Sequence, residues 1–82
     1  MQIFPNPVKN EATVSFLLGS NSDVSFIMYD ISGRIVKIIN QNNVKLGKHQ
    51  LNIDVVGLPA GTYVIQLKSK EGNAFGKVMK VN

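Results

Sequence analysis

The stretch "YDISGR", residues 29 to 34, sets Asp30, Ser32 and Arg34 side by side. An aspartate and a serine are two members of a hydrolytic triad, and the third would be a histidine that takes the serine proton. His49 is the only histidine in the chain, and it stands at the head of a different apolar run. Asp30 and Asp54 form a second candidate pair, the two carboxylates that a glycoside hydrolase sets across a scissile bond. Tyr29 and Tyr63 offer ring faces on which a sugar can stack. One histidine and no cysteine cannot build a typical zinc site, and the absence of cysteine also excludes disulfides and thiol nucleophiles. Five scattered acids form no calcium loop, and the glycines form no phosphate-binding loop. No cofactor is expected.

Whether any of these groups meet depends on the elements that carry them. The apolar period is two. "ATVSFLL", 12 to 18, turns Val14, Phe16 and Leu18 to one side, and "VSFIMY", 24 to 29, does the same with Val24, Phe26 and Met28. "HQLNIDV", 49 to 55, presents Leu51, Ile53 and Val55, and "TYVIQLK", 62 to 68, presents Tyr63, Ile65 and Leu67. Such alternation marks half-buried antiparallel strands. "RIVKII", 34 to 39, and "FGKVMKV", 75 to 81, read as strands too apolar to assign a face, and "QIF", 2 to 4, as a short first strand ended by Pro5. Loops are expected at 19 to 23, 40 to 48, 57 to 61 (with Pro59 fixing φ) and 70 to 73. The result is one all-β domain over residues 1 to 82: an antiparallel, immunoglobulin-like β-sandwich of about seven strands. Its core is expected to hold Val14, Phe16, Val24, Phe26, Leu51, Ile53, Ile65 and Leu67.

Placed between two strands, "DISG" reads as a hairpin turn rather than a site. Asp30 is expected to accept hydrogen bonds from backbone N–H groups, and Gly33 to take a positive φ. Nothing around Ser32 resembles a nucleophile elbow. The sequence therefore points away from an enzyme.

Composition agrees with a small soluble domain. Of 82 residues 44% are hydrophobic and 17% charged, and no apolar run approaches the roughly 20 residues of a membrane-spanning helix. No signal peptide opens the sequence, so an export signal would lie on sequence outside it. The net charge of +4 comes from lysines spread along the chain, which suits protected strand edges or an anionic partner. There is no basic run interleaved with aromatics, so nucleic acid is not an expected partner.

Five pieces taken in order carry a resemblance: "NPV" at 6 to 8, "YDISGRIVK" at 29 to 37, "GKHQLNID" at 47 to 54, "LPAGTYVIQL" at 58 to 67 and "GKVMKVN" at 76 to 82. Together they resemble the type A C-terminal sorting domain of cargo exported by the type IX (Por) secretion system of Bacteroidota, from about Phe4 to Asn82. The resemblance implies an immunoglobulin-like sandwich that acts as an address on a larger secreted protein. Its implied partners are the outer-membrane translocon, a sortase-like peptidase that removes the domain, and a covalently attached N-terminal passenger often fixed to anionic lipopolysaccharide. Direct membrane insertion is not implied. The implied route is the periplasm in transit, then the medium or the cell surface, with the cleavage site near or before the domain start. Carried over by motif, the translocon-recognition residues are Gly61, Tyr63, Lys77, Val78, Met79, Lys80 and Val81, while Asp30, Gly33 and Pro59 shape turns. The last strand is expected to offer a free backbone edge and the charges of Lys77 and Lys80 to an acidic receptor. The rival reading is an immunoglobulin-like spacer or carbohydrate-binding module.

Overall fold

Alternating side chains give each strand one face to hide, and two stacked sheets hide them against each other. The computed structural model describes all 82 residues. Its elements are β1 (Gln2–Phe4), β2 (Glu11–Leu18), β3 (Ser22–Tyr29), β4 (Ile35–Val44), β5 (Gly47–Asp54), β6 (Gly61–Ser69) and β7 (Gly72–Lys80). The chain has no helix, hence none long and apolar enough to cross a membrane. Three strands form one antiparallel sheet in the order β1-β2-β5, and four form the other in the order β4-β3-β6-β7. The fold is the immunoglobulin-like sandwich that the alternation predicts.

The core follows the expected faces. Val14, Phe16, Val24, Phe26, Ile53, Ile65 and Leu67 are buried in one cluster. The Phe16 and Phe26 rings meet edge to face across the two sheets, centroids 5.1 Å apart, the arrangement that ring quadrupoles favour. Leu51 is only half-buried, because β5 is an edge strand with cover on one flank. Val8, Ala12 and Val78 also reach zero exposure. Strand β4 buries nothing completely, since four strands over three leave one strand overhanging.

Three boundaries differ from the sequence reading. Residues 40 to 44, read as loop for their Asn and Gln content, continue β4, and β5 starts at Gly47, so the connection shrinks to Lys45 and Leu46. The amides fit because β4 is an edge. Asn40 Oδ1 accepts the Ser25 hydroxyl proton at 2.7 Å, and the Asn43 amide donates to Asp23 Oδ1 at 2.8 Å. At the other hairpin, β7 begins at Gly72, which narrows the 70 to 73 turn to Lys70 and Glu71. The loop at 19 to 23 also shortens, because β3 starts at Ser22.

The face of β7, left open by its sequence, is set by packing. Val78 and Lys80 point inward, and Phe75, Lys77 and Met79 outward. Gly76 lies beneath β1: a Cβ there would stand 2.6 Å from Ile3 Cδ1. A side chain there would have to displace the tip of Ile3, so the glycine lets the Ile3 side chain settle directly on β7.

Candidate functional site

Register brings four of the five motif pieces to one end of the sandwich, and the fifth, on β5, ends there at Asp54. Strand β3 ends at Tyr29, paired with Val64, and β6 begins at Gly61, paired with Lys80. On the other sheet β2 begins at Glu11, opposite Asp54 at the end of β5. Two links tie the sheets at this pole: Lys37 Nζ donates to the Asp54 carbonyl at 2.6 Å, and Val8 forms a parallel bridge with Lys80. The "NPV" segment, the "DISG" turn, the "LPAG" loop and the C-terminal residues therefore share one pole, although they are scattered through the sequence.

The "DISG" turn is held by its aspartate. Asp30 Oδ1 accepts hydrogen bonds from the Ser32 hydroxyl (2.6 Å), the Ser32 amide (2.9 Å) and the Arg34 amide (3.0 Å). Oδ2 takes the Arg34 Nε proton at 3.0 Å. Gly33, at φ 88°, bonds back to the Asp30 carbonyl at 3.0 Å. Donors that prefer the ionised form, first the Ser32 hydroxyl and then Arg34, lower the Asp30 pKa from 3.8 to about 2. The Ser32 hydroxyl is thus spent on a carboxylate. His49 lies on β5 in the other sheet, its ring stacked on Phe16 at 5.5 Å and its Nε2 2.6 Å from the Lys45 carbonyl. Asp30, Ser32 and His49 do not assemble. Asp54 caps its own turn, accepting the Val56 amide at 2.9 Å.

A pH dependence follows. A carboxylate whose folded pKa is depressed contributes stability above its unfolded value and loses it as pH falls through the folded one. The stability difference between the wild type and Asp30→Asn should hold from neutrality to about pH 4, then shrink as pH falls from there towards about 2. Melting temperatures of both proteins measured between pH 6 and pH 2 check this. A constant difference over that range would show that Asp30 does not titrate with the turn.

"PAGTY" forms a second local device. Tyr63, 4% exposed, points into the core near the start of β6, and its hydroxyl donates to the Pro59 carbonyl. This is the tyrosine corner of immunoglobulin-like sandwiches, where the hydroxyl ties the incoming loop to its strand. Gly61 makes the bend at φ 152°, outside the comfortable range of a residue with a Cβ. Tyr63→Phe keeps the ring and loses the tie. It should cost about 1 kcal/mol, a fall in melting temperature of about 4–8 °C for a domain of this size. An unchanged melt would show that water replaces the tie at no cost. The other tyrosine, Tyr29, is half-buried and donates to Gln66 Oε1 at 2.6 Å. Neither ring stands free as a sugar platform.

The two distal motif pieces are cross-strand neighbours. Gly61 pairs with Lys80, Thr62 with Met79, Tyr63 with Val78 and Val64 with Lys77. The expected recognition residues thus come together, on two different faces. Tyr63, Val78 and Lys80 are buried; Gly61, Lys77, Met79 and Val81 are exposed. Lys80 is only 6% exposed, and its Nζ reaches the Val81 carbonyl at 3.3 Å. Its charge is therefore not displayed on the edge as the sequence reading expected. The backbone edge is not free there either. The Val8 amide donates to the Met79 carbonyl (2.8 Å), and the Val81 amide to the Val8 carbonyl (2.9 Å). Asn6 adds a clasp, with Nδ2 on the Lys77 carbonyl at 3.3 Å and Oδ1 accepting the Met79 amide at 3.0 Å. Beside β7 the proline-rich segment takes the place of a neighbouring strand.

What the end of β7 does display is side chains, on the outer face of the four-stranded sheet. One row across it reads Ile38, Ile27, Gln66, Phe75, and the next reads Ile35, Tyr29, Val64, Lys77, with Met79 beyond. Ile35, Ile38, Phe75 and Met79 are 53%, 54%, 63% and 51% exposed. The outer face of the three-stranded sheet is mostly polar: Glu11, Thr13 and Ser15 on β2 stand opposite Asp54, Asn52 and Gln50 on β5. Sequence reasoning missed the apolar face because its residues were counted as strand formers. The signal was present in "RIVKII" and "VSFIMY", which are apolar on both phases.

At the opposite pole, Asn21, Ser22, Asp23, Asn43, Lys45 and Lys70 line a shallow, solvent-open depression with no apolar side chain. Of the motif pieces, only the start of "GKHQLNID", Gly47 and Lys48, lies at this end.

No curated protein matches the chain. The family model described as "Secretion system C-terminal sorting domain" matches residues 2–81, almost the whole sequence. With the sandwich in place and four of the five motif pieces gathered at one pole, the chain belongs to the type IX secretion C-terminal sorting domain family.

Proposed function

We propose that this domain directs an N-terminal passenger across the outer membrane through the type IX translocon and is then removed by a sortase-like peptidase. The family is not catalytic, and it implies a type IX system, a passenger on the N-terminal side and a secreted or cell-surface destination. Transit through the periplasm belongs to the proposal. The observation that carries it is the convergence of four of the five motif pieces on one pole, where Gly61 and the end of β7 lie side by side. Within that pole, Gly61, Lys77, Met79 and Val81 are the groups a translocon component can touch. Tyr63, Val78 and Lys80 act from inside, by fixing the strand that presents them.

A reporter carrying a signal peptide and fused ahead of this domain tests the proposal in a bacterium with the type IX system. The reporter should reach the surface or medium without the domain's mass. In a strain lacking the translocon it should stay in the periplasm with the domain attached. Retention of a folded fusion in the secreting strain, or equal export from both strains, would overturn the reading.

A further inference from the structure

The apolar side chains on the outer face of the four-stranded sheet lie outside the core cluster. Ile35, Ile38, Phe75 and Met79 are more than half exposed and stand in adjoining rows around the half-buried Ile27 and Val64. Isolated exposed apolar residues are ordinary, but a contiguous sheet face of them is a mark of an interaction surface. Strand β7 supplies Phe75 and Met79 to this face, so it is continuous with the motif pole.

The charges around the face say what fits it. Lys68 and Lys77 project from it, on β6 and β7, while Arg34 at its rim is paired with Asp30. Its carboxylates lie at the two ends of β3: Asp23 accepts the Asn43 amide, and Asp30 is paired with Arg34. Glu11 and Asp54 belong to the other sheet, and Glu71 bonds the Gly19 amide. A second copy of the same face would set lysines against lysines, with carboxylates only at the two ends of β3. An anionic membrane would find a flat, rigid sheet with two lysines, too little charge for firm attachment. A protein surface with an apolar centre and carboxylates at its rim satisfies both features.

We infer that the outer face of β4-β3-β6-β7 is the docking surface by which the domain is bound by a component of the export machinery, one presenting an apolar patch ringed with acidic side chains. The inference rests on the sorting reading above and assigns its contact to side chains on a sheet face, not to a free strand edge.

The reporter fusion tests it with two face variants. Ile38→Ser/Phe75→Ser/Met79→Ser removes the apolar centre, and Lys68→Glu/Lys77→Glu reverses the charge. Leu17→Ser, on the outer face of the other sheet, is the control. The purified domains are melted first, and all should unfold close to the wild type because the substituted residues are exposed. Export of both face variants should fall at least about tenfold, with the fusion held in the periplasm, while the Leu17→Ser fusion is exported normally. If the triple variant melts early, the charge reversal alone decides. Normal export of the folded face variants with export of the intact fusion would overturn the inference and leave the sorting reading standing. Failure of the intact fusion would overturn both. The purified wild-type domain is also mixed with phosphatidylglycerol vesicles and sized by ultracentrifugation. Vesicle binding or a dimer, either abolished by Ile38→Ser/Phe75→Ser/Met79→Ser, would overturn the protein partner in favour of a membrane or a second copy.

Discussion

Phe26→Ala is expected to bring the domain close to unfolding. Phe26 is 2% exposed, sits on the central strand β3 and packs edge to face on Phe16. Truncating a buried phenylalanine costs about 3–5 kcal/mol, from lost transfer energy and from the cavity left behind. At roughly 0.05–0.15 kcal/mol per residue, a domain of this length has about 4–12 kcal/mol in all. Urea unfolding should show a midpoint reduced by about half at the middle of these ranges, with the slope unchanged, since the surface exposed on unfolding is nearly the same. Leu17→Ala, on the same sheet as Phe16 but 68% exposed, should shift the midpoint little. If the two variants behaved alike, the assignment of inner and outer faces would be wrong.

That assignment was legible because burial imposes a period of two on β2, β3, β5 and β6. Phe16, Phe26, Ile53 and Ile65 lie inside where their alternation predicts. The "DISG" turn was legible for a different reason: Asp30 and Gly33 do at short range what their types allow, and the turn needs no distant partner. Residues 40 to 44 were misread because polar amides suit an edge strand as well as a loop, and only the neighbouring strand decides between them. The face of β7 was not legible either. Phe75, Val78 and Met79 are apolar on both phases, and only the packing of Val78 into the core decides between them. Least visible was the occupied edge. Val8 and Asn6 read locally as parts of a proline-rich lead-in, and nothing beside them announces that their partners are Lys77, Met79 and Val81 at the other end of the chain.

The occupied edge bears on how recognition is to be tested. Deleting Lys77–Asn82 should abolish cooperative folding, not merely remove a signal. The deletion takes away Val78, which is fully buried, and the cross-strand partners of Gly61 through Val64. It also removes both backbone bonds that hold Val8, itself fully buried, and both contacts of the Asn6 side chain. Two valines moved from core to water cost about 1.5–3 kcal/mol each. The backbone groups of Gly61 through Val64 lose their β7 partners, and Tyr63 loses cover on one side. The sum approaches the whole stability of so small a domain. Circular dichroism should show no sigmoidal thermal transition for the deleted protein, whereas Met79→Ser, with its side chain about half exposed, should melt close to the wild type. A cooperative transition in the deleted protein would mean that the remaining strands close the sandwich unaided, and that the clasp of Asn6 and Val8 on β7 contributes little. If the deletion does unfold the domain, a deleted fusion held in the periplasm would report misfolding as readily as a lost address. The role of the C-terminal strand is then separable from its structural one only through its outward side chains, Lys77 and Met79.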